Sequence, residues 1–200
     1  MRHFLFSAFA LLLLAPSPEA IAQQVTYSYE GPFFTSFVPP YTANDRVIGW
    51  FSVPSPLPPS LPMTFIGSSL LDFTFVDGIA TRSITNSTVC MFSVSTDERG
   101  DIVDWAIGLR EEPFPGTGEP QHLIDVYEFF GDLGGVGAAD SQPCGGVFMF
   151  SSFGQVMEPG NWTSERGVLE VPSASAGGLS LFSLLLALAG WSLIRRGTIA

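Results

Sequence analysis

The sequence predicts an all-β body: an antiparallel β-sandwich, jelly-roll or Ig-like, set between two apolar ends. Three observations carry this. No stretch between residues 23 and 170 keeps a 3.6-residue apolar period, so no amphipathic helix is predicted. Short β-branched and aromatic runs recur instead, several of them alternating at period two. Turn chemistry separates these runs, in a chain punctuated by 16 prolines and 21 glycines. About eight to ten strands at this spacing favour a sandwich, with a small open barrel as the alternative.

In chain order, residues 25–30 (Val-Thr-Tyr-Ser-Tyr-Glu) alternate among β-formers and open the fold as a strand, which Gly31-Pro32 is expected to end. Residues 33–41 carry Pro39-Pro40 and read as a loop or edge segment. A second strand is predicted over 46–53, with Gly49 as a bulge. Five prolines within residues 54–62 exclude a helix or a central strand and leave a stiff extended crossing. Asp77-Gly78 lies between the runs 70–76 and 79–84 and signals a hairpin, because both residues accept the positive φ of a type I′ turn. Runs 89–95 and 101–110 flank a second hairpin turn, with Gly100 at its left-handed position. Val103, Trp105, Ile107 and Leu109 share one face of that strand. Residues 122–130 form a further apolar strand, 131–137 a Gly-rich mobile loop, and 146–152 and 162–171 complete the set.

Charge narrows the function classes. Residues 23–170 hold five arginines, no lysine and 18 of the chain's 19 acidic residues, a net charge of −13. A nucleic-acid partner is excluded on this ground, since phosphate binding needs a basic face. The two cysteines, Cys90 and Cys144, read as one disulfide in an oxidising compartment. With His122 as the only histidine in the body and no C-x-x-C, a zinc site is not predicted.

Candidates for chemistry are few. Asp97, Asp101 and Asp104 surround one turn but miss the spacing of a calcium loop and read as a solvated acidic turn. Gly134-Gly135-Val136-Gly137 follows a strand, as a phosphate loop would, but Pro143 and its neighbours cannot build the helix such a loop needs. His122 with Asp125 three positions on is the one pairing open to a hydrolase, and no G-x-S-x-G accompanies it. No catalytic residue, cofactor or metal is assigned, and the body is read as non-enzymatic. Among the tryptophans, Trp50, Trp105 and Trp162 are candidates to stack on sugar rings. Trp162, after Pro159-Gly160-Asn161, is the one expected to be exposed. A carbohydrate-binding module is therefore the alternative reading of the body, with a polysaccharide as partner.

The ends give the topology. Arg2-His3, the 12-residue apolar run 4–15 and the small-x-small site Ala20-Ile21-Ala22 form a secretory signal peptide over 1–22. Residues 23–170 are then the exported body, and 171–200 a C-terminal segment. Within it, 176–194 is a 19-residue uncharged run, long enough as a helix to cross most of a bilayer. Arg195-Arg196 behind it favours retention on the cytoplasmic side, which places the body outside the cytoplasm, anchored in the inner membrane.

The order of parts in that tail is Val171-Pro172, a small-residue spacer, the apolar helix and then Arg195-Arg196. It resembles the tail of the PEP-CTERM family of bacterial sorting-signal proteins. Family tails read Pro-Glu-Pro where this chain reads Pro172-Ser173-Ala174. The resemblance implies a membrane-embedded, exosortase-like processing enzyme as partner. It also implies delivery to the envelope of a Gram-negative-type bacterium, with release to the cell surface or the extracellular polysaccharide.

Overall fold

The computed structural model describes residues 24–166. The predicted leader over 1–22, Val171, Pro172, the membrane helix 176–194 and Arg195-Arg196 lie outside the described residues. Among those described, no helix is long and apolar enough to cross a membrane.

The described residues form twelve strands, β1 and β5 among them with burial alternating residue by residue: β1 (Val25–Phe33), β2 (Ser36–Val38), β3 (Arg46–Val53), β4 (Thr64–Phe65), β5 (Asp72–Val76), β6 (Thr81–Ser83), β7 (Ser87–Thr96), β8 (Ile102–Glu111), β9 (Pro120–Tyr127), β10 (Gly131–Ala139), β11 (Val147–Val156) and β12 (Asn161–Arg166). They form two antiparallel sheets, ordered β12-β1-β3-β5-β6 and β2-β11-β10-β9-β8-β7-β4. The predicted antiparallel β-sandwich is thus the architecture observed. From β1 to β5 the chain alternates between the sheets, and β7 to β11 then run as a meander. That meander is simpler than the Greek-key weave a jelly-roll or Ig-like sandwich would have there.

Aromatic rings fill the space between the sheets. Phe92 of β7 packs on Phe51, Phe73 and Phe75 of the opposite sheet, with ring centroids 5.1, 6.1 and 6.2 Å away. Trp105 of β8 reaches across to Tyr29 and Trp162, at 5.9 and 6.1 Å. Each pair is tilted or edge-on, the arrangement that aromatic quadrupoles favour.

Several predicted boundaries move. β1 does not end at Gly31-Pro32 but runs on to Phe33, with a register shift between Glu30 and Phe33 that takes the proline out of the ladder. The loop expected over 131–137 is strand β10, a central strand paired on both sides. Its glycines answer close packing: a Cβ on Gly134 would collide with the Asp77 carboxylate, and one on Gly135 would sit 2.9 Å from the Phe150 ring. The first hairpin has a four-residue loop in place of a two-residue turn. Its carboxylate, Asp77 Oδ1, accepts from the Ile79 and Ala80 amides at 3.0 and 2.9 Å, closing the loop as an Asx turn. Val103 is half exposed, off the buried face of Trp105, Ile107 and Leu109. The second hairpin is as read, with Gly100 at φ 83°.

Cys90 and Cys144 are disulfide-bonded. Cys90 sits at the register shift of β7, opposite no partner residue, and Cys144 lies in the loop between β10 and β11. Because β8 and β9 separate β7 from β10 in the sheet, the bond draws that loop across two strands. With the cysteines 54 positions apart, the loop-closure model gives about 4 kcal/mol of stabilisation. Urea unfolding of a Cys90→Ser, Cys144→Ser variant is expected to show a loss of this order, and a loss under about 1 kcal/mol would remove the loop-closure account.

Candidate functional site

Two places in the body gather chemistry-bearing side chains: a buried polar chain that joins the sheets, and an open cleft on the outer face of the five-stranded sheet.

The buried chain starts from Asp77, which is fully buried at the end of β5. Its Oδ2 accepts from the Tyr41 hydroxyl, and His122 Nε2 of β9 lies 2.9 Å away. Arg82 of β6 donates from Nε to His122 Nδ1 at 3.2 Å. A guanidinium N–H only donates, so Nδ1 presents its lone pair; the ring proton is assigned to Nε2, facing Asp77. Glu111 completes the chain, accepting the His122 backbone N–H at 3.0 Å and standing 3.8 Å from Arg82 Nη2. Burial drives the Asp77 carboxyl upward, but hydrogen bonds from His122, Tyr41 and Ala80 outweigh it and hold the group below its ordinary value. Burial and the same carboxylate push the Tyr41 phenol well above its usual range.

This arrangement does not suit a general base. Both ring nitrogens of His122 are engaged inside the protein, and the residue is nearly fully buried. The partner considered from the sequence, Asp125, is not against it. Residues three apart on a strand point to opposite faces, and Asp125 instead makes a bidentate pair with Arg110, at 2.6 and 3.2 Å. Burial raises the Asp125 carboxyl despite Arg110 beside it.

One buried acid has no cation. Asp132 of β10 is 1 % exposed; Oδ1 accepts from the Tyr29 hydroxyl at 2.6 Å, while Oδ2 has no partner and abuts Gly31, where a Cβ would collide with it. Burial pushes this carboxyl up to about 7, with the Tyr29 hydrogen bond pulling the other way.

The cleft is built by strand register. One row across the outer face runs Thr163, Ser28, Trp50, Thr74, and the next runs Asn161, Glu30, Ile48, Val76. These side chains line a concavity of about 770 Å³, within the roughly 300–1,000 Å³ typical of small-ligand sites. At one end Arg46 pairs with Glu30 and lies over the Phe33 ring, 4.8 Å from its centroid.

The tryptophans therefore sort differently from the sequence expectation. Trp162 is not an exposed surface residue. It pairs with Tyr29 in register and points inward, with ring contacts to Tyr29, Phe51 and Phe75 at 5.0, 5.3 and 6.5 Å, and its Nε1 is buried. Trp105 is core as well. Trp50, half-buried and one residue from the inward Phe51, is the indole that faces the cleft.

Elsewhere the carboxylate of Asp97 is taken up by the amides of Arg99 and Asp101, at 2.8 and 3.0 Å. Among the described residues no three His, Cys, Asp or Glu side chains converge to hold a metal ion. Comparison with protein-family models, curated proteins and solved structures finds no match to this chain.

Asp132 generates a pH prediction. Its folded value of about 7 stands above the ordinary carboxylate value of 3.8. The folded state therefore binds the extra proton, and stability falls as pH rises from about 4 through about 7. Asp132→Asn is expected to flatten that slope and to raise stability at pH 8, by at most about 4 kcal/mol. Thermal melts of both proteins at pH 5 and pH 8 check it: parallel pH profiles would show that Asp132 does not titrate in this window.

Proposed function

We propose that this chain is an exported cell-envelope protein, tethered through its C-terminal segment, whose β-sandwich body binds a ligand and performs no catalysis. The observation that carries this is the Cys90–Cys144 disulfide with no free cysteine among the described residues. Such a bond forms and persists where the compartment is oxidising. The export reading of residues 1–22 and the anchor reading of 176–196 require the same compartment on independent grounds. The commitment of His122 inside the fold supports a binding role, because it is the only histidine of the body.

The order of parts around Val171-Pro172 and Arg195-Arg196 supports recognition by an exosortase-like enzyme, followed by release of the body to the surface or the surrounding polysaccharide. A glycan-binding module is the second reading. The cleft of the five-stranded sheet favours it, with Trp50 in place of Trp162 as the stacking residue.

Intact mass of the protein recovered from native cells tests the export reading. The expected product lacks residues 1–22, is lighter by the two hydrogens of one disulfide, and carries any cut near Pro172 as a further loss. Recovery of the whole chain from cytosol, with both thiols reduced, would refute it. Deleting Arg195-Arg196 is expected to impair membrane retention or orientation, read by fractionation and by protease access to the body in spheroplasts.

A further inference from the structure

The cleft also carries information about what it binds. We infer that the outer face of the five-stranded sheet binds an uncharged glycan chain, with one pyranose ring stacked on Trp50. This rests on the glycan-binding reading and assigns that reading a site and a ligand class.

The lining is the first argument. A sugar ring is apolar on its face and hydroxylated round its edge, so its site needs a flat apolar platform ringed by small hydrogen-bonding groups. Trp50 supplies the platform, and Ile48 and Val76 in the adjacent row extend it. Ser28 and Thr74 are its cross-strand neighbours in the same row, and Thr163 and Asn161 continue the two rows onto β12. Hydroxyls and an amide placed this way meet both the donors and the acceptors of a sugar edge. Four adjacent strands span about 14 Å, room for a short oligosaccharide laid across them.

Charge is the second argument. The two ionised groups of the cleft, Glu30 and Arg46, face each other as a pair and leave no net charge there. The body around them is strongly acidic, at −13 over residues 23–170. A uronate or sulfated chain would be repelled from such a surface at low salt. A neutral chain meets no such barrier. A phosphorylated ligand lacks a cation free to receive it in this cleft, since Arg46 is already paired with Glu30.

A glycan array bearing neutral and uronate-containing oligosaccharides tests the inference on the full chain in detergent, beside Trp50→Ala, Trp50→Phe and Trp162→Ala. Binding to neutral glycans is expected, about tenfold weaker for Trp50→Ala and nearer to wild type for Trp50→Phe. Near-UV circular dichroism and an intact disulfide would show that Trp50→Ala is folded. Trp162→Ala is expected to lower the melting temperature, because it empties the core, and to leave the affinity of the folded fraction unchanged. Neutral-glycan binding that Trp50→Ala leaves unchanged would overturn the site while keeping the glycan-binding reading. Binding confined to uronate-containing chains would overturn the ligand class, and binding to no glycan on the array would overturn both.

Discussion

Asp77 is the point on which the polar architecture of this body depends. It directly follows β5 of one sheet and is met by His122 of β9 from the other, while Gly134 of β10 presses against its carboxylate. A fully buried acid is costly unless charge and hydrogen bonds compensate it. Here the compensation comes from four directions: Tyr41, His122, and the amides of Ile79 and Ala80. The same contacts close the β5–β6 loop and hold the ring of His122, whose other nitrogen accepts from Arg82. Removing Asp77 would release all of these at once. The aromatic layer gives the sheets their attraction, but it is non-directional; this polar junction fixes how the two sheets meet at one end.

Cations are the scarce resource in this fold. Residues 23–170 carry five arginines and no lysine, and two of those arginines, Arg82 and Arg110, are spent inside. Asp125 takes Arg110, and Asp77 is met by the imidazole N–H of His122, a phenol and two amides, which leaves Asp132 with only a phenol. Burial pushes all three carboxyls upward; the four donors around Asp77 overcome it, whereas the Arg110 pair on Asp125 and the single phenol on Asp132 do not. The same scarcity shapes the outer surface. Arg46 is used at the cleft rim to neutralise Glu30, so the cleft differs in charge from the acidic body around it.

The parts of this architecture that were legible in the sequence are those written by local rules. β3 was readable to its ends, 46–53, because a run of β-forming residues there is closed by the proline-rich stretch that begins at Pro54. The Gly100 hairpin was readable because its backbone angle has a residue signature. β10 was not. Its Gly-Gly-Val-Gly composition is that of a loop, and the reason for glycine, the pressing of Asp77 and Phe150 on its backbone, comes from residues far away in the chain. The buried polar chain was illegible for a similar cause: Tyr41 and Asp77 are 36 positions apart, and Tyr41 and His122 are 81 apart. Lone polar residues in apolar runs, such as His122 and Asp125 in β9, were the available signal; what they lacked was any indication of partner. The disulfide needed no such help, since two cysteines allow one pairing.

Trp162 and Trp50 show how far a residue's surroundings in sequence mislead about its face. Pro159-Gly160-Asn161 made Trp162 look like a loop tip, but pairing opposite Tyr29 turns its side chain inward, where four aromatic rings surround it. Trp50, one of the stacking candidates, lies next to Phe51 in an apolar run; Phe51 takes the inward position, so Trp50 points out. Parity along a strand, not hydrophobicity, decides between them. An indole held outward costs hydration of its apolar surface, and solvent-facing rows offer most residues an easier alternative. With Ser28 and Thr74 flanking it in register, that outward indole is the feature of the sheet that packing alone does not explain, and a ligand with one apolar face and a hydroxylated rim would give it a use.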